Sequence, residues 1–311
     1  IEGNVAVTKG GTETATLDDG HTKEVSVVTV GGSGLSAFLG ADGTGISVTG
    51  AEFGLALVTP VDERDSSRYY GLTASAEFAG LVGIDGLDLS VENVAILVNG
   101  GTDMTVPNRV VDFRKGDLDH DGDTTDVTRI STGSGADNFV DLAVSEKVIK
   151  ASGDVTVDLL DGLVTLSGSV AVKVNQQEIT LNDDTTLNAN AVEVGVFNAT
   201  ASIDLDPSDP DNDEVTLGGV TLGLAYYTPD TADTSDTRSW LGLKTFGGMV
   251  GAGSQGFNVG AEDIAVSLNK GFGKLGTVDN DTVVDFTRFE GEAVLVDTSG
   301  FSEELDEAVT V

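Results

Sequence analysis

The sequence predicts an all-β protein made of elongated tandem repeats, and the prediction rests on composition and internal repetition. Glycine, valine, threonine and aspartate are abundant and proline is rare, a composition that favours strands and tight turns over helices. A thirteen-residue pattern with alternating apolar positions occurs five times, and such alternation indicates a strand with one face in a core. The five copies are residues 45–57, 86–98, 162–174, 214–226 and 256–268.

The apolar residues change phase inside every copy of the pattern. The second position is apolar, and so are the ninth, eleventh and thirteenth, which in the first copy are Phe53, Leu55 and Leu57. The tenth position is always glycine or alanine. Because a strand changes phase only by inserting a residue or bending, we predict a bulge or corner at the sixth to eighth positions. We also expect the ninth, eleventh and thirteenth side chains to face the core.

Matching segments also recur at a longer distance, which predicts two copies of a larger repeat. Residues 54–60 (GLALVTP) match 223–229 (GLAYYTP), and residues 92–99 (ENVAILVN) match 262–269 (EDIAVSLN). The offset of about 170 residues divides the chain into a first repeat at 1–165 and a second at 166–311. Strand motifs nested in a larger unit favour the coils of a β-solenoid. The uneven spacing of the motifs keeps a chain of β-sandwiches as the alternative.

The first repeat begins inside a motif, and the second is incomplete at its C-terminal end. Because a natural domain does not start or stop within a strand, we expect the chain to be a segment of a longer array. Such ends leave strand edges and apolar side chains bare. We therefore expect further copies of the same repeat to join end to end into a filament.

The strongly acidic composition excludes several classes of partner and function. Fifty-two acidic against sixteen basic residues give a net charge of -36, which excludes nucleic acid and anionic membrane surfaces as natural partners. No apolar run approaches the ~18 residues of a spanning helix, so we expect no membrane insertion. The chain has no cysteine and only two histidines, and no catalytic motif emerges. We therefore expect no enzyme, and a β-helical polysaccharide-acting enzyme is the less favoured alternative.

One acidic segment has the spacing of a calcium-binding loop. Residues 117–126 read DLDHDGDTTD, in which alternate carboxylates converge on one point and glycine at the sixth place permits a sharp turn. The predicted calcium ligands are Asp117, Asp119, Asp121, Asp123 and Asp126. A merely solvated acidic loop is the alternative. The acidic cluster at residues 204–214 is a weaker calcium candidate, because no glycine stands at its turning place.

Long, cysteine-free, acidic β repeats with a D-x-D-x-D-G loop resemble the repeat regions of very large secreted bacterial surface proteins, the adhesin and calcium-dependent haemolysin-type group. This resemblance implies secretion to the cell surface and a structural or adhesive role. The function that we expect is therefore a structural module of a surface fibre, extended and stabilised by cations.

The alternative function is a module that binds a glycan or another cell. Two acidic loops, residues 61–67 and 230–237, follow a shared Thr-Pro and precede an aromatic residue. We expect both loops to be turns that join strands. In the adhesive alternative these regions present Tyr69, Tyr70 and Trp240 for stacking on sugars.

Overall fold

The computed structural model confirms the all-β class. It describes residues 2–41, 43–83, 87–106, 108–115, 118–119, 127–135, 138–159, 163–204, 214–254, 257–262, 265–288, 295–297 and 308–310. Within these residues the regular secondary structure is β-strand, apart from one 3-10 turn at Phe286–Arg288.

Two compact units divide the chain. The first contains Ile1–Gly80 and Glu92–Lys150, and the second contains Leu81–Val91 and Ala151–Val311. In chain order the strands are β1 (Glu2–Thr16), β2 (Thr22–Ala41), β3 (Thr44–Pro60), β4 (Arg68–Val82), β5 (Leu87–Thr102), β6 (Thr128–Ser131), β7 (Phe139–Leu142), β8 (Val148–Leu159), β9 (Val164–Thr180), β10 (Thr186–Asp204), β11 (Glu214–Pro229), β12 (Ser239–Ser254), β13 (Phe257–Glu262), β14 (Val266–Phe272), β15 (Lys274–Leu275), β16 (Val278–Asp279), β17 (Leu295–Asp297) and β18 (Ala308–Thr310).

Twelve of these strands belong to one sheet in which mostly consecutive strands pair, and β5 lies next to β8. The strand order is β1-β2-β3-β4-β5-β8-β9-β10-β11-β12-β13, and β13 and β14 pair with successive parts of β12. The pairings among β1 to β3 and among β9 to β12 are antiparallel, as expected where short turns join consecutive strands. The hairpins β6–β7, β15–β16 and β17–β18 form separate two-stranded sheets.

A short hairpin contacts the first three strands of the sheet in each unit. In the first unit β6 and β7 contact β1, β2 and β3, and in the second unit β17 and β18 contact β9, β10 and β11. The core of the first unit consists of Ala15, Leu17, Val25, Val27, Ala56, Val58, Tyr69, Val111, Phe113, Leu118, Ile130, Leu142, Val144 and Val148. The core of the second unit consists of Ile179, Leu181, Ala189, Ala191, Ala225, Tyr227, Trp240 and Val284.

The segment that follows β5 is attached to the sheet by a small set of hydrogen bonds. Val111 forms an isolated β-bridge with Leu17, just after β1. Its carbonyl oxygen accepts a hydrogen bond of 2.8 Å from Nδ2 of Asn99 on β5. The backbone nitrogen of Asp112 donates to the carbonyl oxygen of Thr16 at 2.8 Å. These bonds hold the end of β1 and the segment after β5 together.

The second unit repeats the same attachment with different residues. Val284 forms an isolated β-bridge with Leu181, just after β9. The carbonyl oxygen of Val284 accepts a hydrogen bond of 2.8 Å from Nδ2 of Asn269 on β14. The backbone nitrogen of Asp285 donates to the carbonyl oxygen of Thr180 at 2.8 Å. In both units, therefore, the same pattern of bonds attaches a later segment to the end of the first strand.

Glycines on the sheet allow the hairpin of the first unit to approach closely. A Cβ atom at Gly54 would overlap the side chains of Val140 and Ile130, which belong to the hairpin. A Cβ atom at Gly31 would overlap the carbonyl group of Ser131. Gly54 is the tenth residue of the first copy of the pattern, so this contact supplies a physical reason for a small residue there.

The sequence pattern predicted the wrong face of the sheet as the core face. Leu57, at the thirteenth position, is 43% exposed, and Phe53 and Leu55 are only half-buried. The side chains on the opposite face, Ala56 and Val58, are fully buried. The β6–β7 hairpin covers the face with the smaller residues, because only small side chains let its backbone approach the sheet.

The predicted bulges are confirmed within the described strands. The pairing of β2 with β3 shifts register between Phe53 and Val48, and Gly50 has a φ of 63°. Further register shifts lie opposite residues 167–169 on β9 and 217–220 on β11. Asn93, at the eighth position of the second copy, has a φ of 51°. In the fifth copy β13 ends at Glu262 and β14 begins at Val266.

The assignment of the core face predicts losses of stability of different size for two neighbouring substitutions. Gly54→Val places two methyl groups against the hairpin, and overpacking of this kind lowers the free energy of unfolding by about 1–3 kcal/mol. Leu57→Ala removes a side chain from the exposed face and should cost less than the ~2–5 kcal/mol of a buried truncation. Urea unfolding of the two variants measures both effects. A larger loss for Leu57→Ala than for Gly54→Val would place the core on the other face.

Candidate functional site

The predicted calcium loop lies almost entirely outside the described residues. Asp117, Asp121, Asp123 and Asp126 fall outside them, and Asp119 alone of the five predicted ligands is described. Oδ2 of Asp119 accepts a hydrogen bond of 2.7 Å from the backbone nitrogen of Arg129 on β6. The side chain of Leu118, its neighbour, is buried in the core of the first unit. The start of the loop is thus attached to the covering hairpin.

The described ranges contain no group of three or more His, Cys, Asp or Glu side chains that would hold a metal ion. Residues 205–213 of the weaker acidic cluster also fall outside the described residues. The calcium prediction for residues 117–126 therefore stays a prediction.

A partly buried cluster of polar and charged residues, here called the polar clamp, lies at the start of β2 and β4 and just after β5. It consists of Lys23, Asp65, Tyr69, Asp103 and Arg109. Nζ of Lys23 donates to Oδ2 of Asp103 and to the Tyr69 hydroxyl, both at 2.8 Å, and to Oδ2 of Asp65 at 2.9 Å. The Tyr69 hydroxyl in turn donates to Oδ2 of Asp103 at 2.5 Å. The Asp103 carboxylate thus accepts hydrogen bonds from both a lysine and a tyrosine.

The second oxygen of Asp103 organises the chain that follows β5. Oδ1 accepts hydrogen bonds from the backbone nitrogens of Thr105 at 2.7 Å and Val106 at 3.0 Å. Arg109 lies further along the same segment, with Nη1 3.7 Å from Oδ2 of Asp103 and Nη2 2.6 Å from Oδ2 of Asp19. The side chain of Asp103 is 0% exposed. The clamp therefore joins β2, β4 and the segment after β5 at a single buried carboxylate.

The electrostatics of the polar clamp favour its charged state. Burial by itself would raise the pKa of Asp103, but hydrogen bonds from Lys23 and Thr105 outweigh burial and hold that pKa well below its usual value. Burial would lower the pKa of Lys23, but Asp103 and Tyr69 raise it above its usual value. A general acid or base needs a pKa near the working pH, and both groups shift away from neutrality. The clamp has the chemistry of a structural ion pair.

The second unit has an aromatic residue and an ion pair at the start of β12. Nε and Nη2 of Arg238 donate to the two carboxylate oxygens of Asp236 at 2.9 and 2.8 Å. The guanidinium of Arg238 lies 5.4 Å from the ring centroid of Trp240. Nε1 of Trp240 donates to Oγ1 of Thr282 at 3.1 Å. This arrangement, like the clamp, fixes a large buried ring beside charged groups.

The aromatic residues proposed for sugar stacking are mostly inaccessible. Tyr69 and Trp240 are buried in the two cores, and Tyr70 alone of the three is exposed, at 43%. The expectation that all three rings present a sugar-binding surface is therefore wrong. Their position after a turn favoured a loop surface by sequence, but the large rings of Tyr69 and Trp240 pack into the hydrophobic cores.

The two acidic loops are turns that join β3 to β4 and β11 to β12, as predicted. Their carboxylates bond to their own backbone. Oδ1 of Asp62 accepts from the nitrogen of Arg64 at 3.0 Å, and Oδ1 of Asp233 accepts from the nitrogen of Ser235 at 2.9 Å. These hydrogen bonds lower the pKa of Asp233 below its usual value, since the Ser235 side chain and backbone both donate to it.

Sequence reasoning missed the polar clamp. Lys23 is separated from Tyr69 by 46 positions and from Asp103 by 80, so no local motif marks the cluster. One signal was available, because lysine and arginine are scarce in this acidic chain. A lysine that is withdrawn from water requires a carboxylate partner.

Comparison with family models, curated proteins and solved structures finds no match to this chain. The part of the chain that the structure describes has no helix long and apolar enough to cross a membrane. The functional argument therefore depends on the architecture and on the two polar arrangements described above.

Removal of the central carboxylate tests the polar clamp. Asp103→Ala leaves the Lys23 ammonium without its buried partner, and breaking a buried pair lowers the free energy of unfolding by about 3 kcal/mol at pH 7. Asp141→Ala is the matched control, because Asp141 and Arg129 form an ion pair that is about half exposed on both sides. Such a surface pair contributes less than about 1 kcal/mol.

The effect of Asp103→Ala should also depend on pH. Because the pKa of Asp103 is depressed in the folded state, its stabilisation is present above the unfolded pKa of about 3.9 and declines as the pH falls below that value. The difference between the parent and Asp103→Ala should shrink between about pH 4 and pH 2, as urea unfolding at a series of pH values would measure. A difference that is constant over this range would mean that Asp103 acts through packing alone.

Proposed function

We propose that this chain is a structural repeat module of a secreted cell-surface fibre or adhesin, without enzymatic activity. The observation that carries the proposal is the recurrence of one attachment in both units, in which Asn99 and Asn269 bond to the carbonyls of Val111 and Val284. A chain that forms the same attachment in each repeat becomes longer with every repeat, and a spacer needs length.

The antiparallel pairing of consecutive strands supports an array that is built from layers of sheet. The described pairings join consecutive strands antiparallel, whereas the coils of a solenoid stack each strand on its counterpart in the next coil. We therefore favour sandwich-like layers, each a sheet with a covering segment, over the solenoid. Modules of this kind extend an array by adding strands at the sheet ends.

Exposed apolar side chains on β1 and β14 support the joining of further copies end to end. On β1, Val5 and Val7 are well exposed, and on β14, Val266 and Leu268 are exposed as well. Apolar side chains on an edge strand favour pairing with another chain. Further copies of the same repeat are thus the natural partner in this proposal.

Calcium belongs to the proposal as a stabiliser of residues 117–126. Five carboxylates within ten residues repel one another, and a divalent ion that draws four of them together removes that repulsion. The anchoring of Leu118 in the core and of Asp119 to β6 would transmit the ordering of the loop to the covering hairpin. Calcium outside cells is commonly in the range that such extracellular sites require.

The adhesive and enzymatic alternatives receive less support. Of the three aromatic residues considered for glycan stacking, two are buried. The pKa values of Lys23 and Asp103 in the polar clamp shift away from those of a working acid or base. A glycan array would separate a spacer from an adhesin, because a pure spacer gives no saturable binding.

Thermal unfolding with calcium and with a chelator tests the ion site. We expect calcium to raise the melting temperature of the parent, and a hundredfold excess over Kd corresponds to about 2.7 kcal/mol of stabilisation. The double variant Asp119→Ala with Asp121→Ala should lose this response. The readout is the shift that calcium produces in each protein, because loss of the Asp119 to Arg129 bond lowers the baseline by itself.

The control for the calcium experiment removes two carboxylates elsewhere. Asp62→Ala with Glu63→Ala changes the turn between β3 and β4 and should keep the full response to calcium. An equal response in the Asp119 and Asp121 double variant would mean that the ion binds elsewhere and that residues 117–126 form a solvated turn.

Small-angle scattering tests the elongated shape of the proposal. A compact globule of 311 residues has a radius of gyration of about 20 Å, and an extended array of layers should exceed this value clearly. Dilution during the measurement separates the shape of one chain from association between chains. A radius of gyration near 20 Å that is independent of concentration would exclude the spacer in its elongated form.

A further inference from the structure

A chemically labile pair of residues stands near the end of β5. Asn99 and Gly100 form the one Asn-Gly pair in the sequence. The backbone nitrogen after the asparagine is unhindered in such a pair, because glycine has no Cβ atom and its backbone rotates freely. Asn99 also attaches the segment after β5, since its Nδ2 donates to the carbonyl oxygen of Val111 at 2.8 Å. The labile pair and the attachment therefore share one asparagine.

Packing in the first unit favours both members of the pair. The side chain of Asn99 is buried, with 1% of the residue exposed, and supplies the amide donor for Val111. A Cβ atom at Gly100 would overlap the hydroxyl and the ring of Tyr70, which pack against this part of β5. The amide is needed for the attachment and the glycine for the ring, so the lability follows from two separate contacts.

The second unit forms the same attachment without the labile pair. Nδ2 of Asn269 donates to the carbonyl oxygen of Val284 at 2.8 Å, and the next residue is Lys270. In the pairing of β12 with β14, Lys270 lies opposite Leu241. A lysine side chain hinders attack by its own backbone nitrogen, which glycine does not. Asn269 is therefore an internal control for Asn99.

We propose that Asn99 is a deamidation site at which detachment of the segment after β5 becomes irreversible. The backbone nitrogen of Gly100 attacks Cγ of Asn99, so that a new N–Cγ bond forms and the bond from Cγ to Nδ2 breaks. Nδ2 leaves as ammonia with the proton of the Gly100 nitrogen. Water then opens the five-membered imide at either carbonyl, which gives aspartate or isoaspartate. The site follows from the residues of β5 and is independent of the proposed fibre.

The folded strand suppresses this reaction. The backbone of an antiparallel strand has ψ of about +135°, and ring closure requires rotation about this bond and release of the Asn99 amide from Val111. Both occur when the end of β5 opens locally, below the free energy of global unfolding. Oδ1 of Asn99 favours opening, because it is buried without a hydrogen-bond partner among the described residues and would bond to water.

The products of the reaction cannot restore the attachment. A carboxylate at residue 99 has no N–H to donate, and it would face the carbonyl oxygen of Val111 as a second acceptor. Burial of this unpaired charge costs far more than burial of the amide. Isoaspartate also adds one atom to the backbone of β5, which disturbs the alternation of side chains between the two faces. One detachment event therefore leaves a permanent mark.

Mass spectrometry of the full chain, digested after incubation in mildly alkaline buffer, tests the site. We expect Asn99 to gain one mass unit, and chromatography to separate aspartate from isoaspartate. The chain unfolded in urea supplies the reference rate, and there Asn99 should react much faster than Asn269. Equal rates at the two asparagines in urea would refute the lability of the pair. Equal rates at Asn99 in folded and unfolded chains would refute the suppression by β5.

Loosening of the segment after β5 should accelerate the reaction. Asp103→Ala removes the carboxylate that organises this segment, and breaking the buried pair should raise the detached fraction, and with it the rate at Asn99, about a hundredfold. The rate in urea sets the upper limit. Asp141→Ala, at a surface ion pair, should change the rate less than about fivefold. An unchanged rate in Asp103→Ala would overturn the proposal.

A further variant separates local detachment from global unfolding. Gly54→Val overpacks the contact with the β6–β7 hairpin and leaves the bonds of Asn99 and Asp103 in place. It lowers the stability of the unit but should leave the rate at Asn99 unchanged, because the local opening does not involve the hairpin. Acceleration equal to that of Asp103→Ala would mean that the reaction follows global unfolding, which overturns the role of the segment.

The product variant tests irreversibility. Asn99→Asp should raise the hydrogen-exchange rate of the Asp112 amide, which donates to the carbonyl oxygen of Thr16, at least about tenfold. Asn190→Asp is the matched control, because the exposed Oδ1 of Asn190 accepts from Gln176 and a carboxylate keeps that bond. Unchanged exchange at Asp112 in Asn99→Asp would mean that the segment stays attached after deamidation, and the proposal would then fail.

Discussion

In each unit a segment of the chain packs closely against one face of the sheet, and this close approach determines most of the structure. In the first unit the hairpin reaches the backbone at Gly31 and Gly54, and in the second unit a Cβ atom at Gly242 would overlap the ring of Phe286. Interiors pack to crystal-like density, so a segment this close leaves no space for a larger side chain. The small residues therefore lie inside, and the larger aliphatic residues of the thirteen-residue pattern lie on the other face.

Charge is distributed unevenly over this architecture. Some of the acidic residues lie in turns, where Asp62 and Asp233 bond to their own backbone at little cost. Two cations lie where a carboxylate is withdrawn from water, Lys23 at Asp103 and Arg238 at Asp236. Each pair stands beside a buried ring at the start of a strand. An acidic chain can bury charge in this way because both of these carboxylates have a cation within hydrogen-bond distance.

Local features of the sequence predicted local features of the structure. The bulge near Gly50 follows from a change of apolar phase within thirteen residues, and the turns at 61–67 and 230–237 follow from composition. Both depend on the geometry of a few consecutive residues, which a sequence contains in full. The calcium spacing of residues 117–126 is local in the same sense, and Asp119 is the one predicted ligand that the structure describes.

The sequence by itself determined the all-β class, the strands that carry the thirteen-residue pattern and the positions of their bulges, because alternation and turn residues act over short range. Tertiary structure alone decided which face of the strands is covered, since both faces carry apolar residues and only the covering hairpin distinguishes them. It also decided that Tyr69 is buried and that Lys23 meets Asp103, 80 positions away. Contacts between distant residues depend on how the strands assemble, and no pattern within a single strand predicts them.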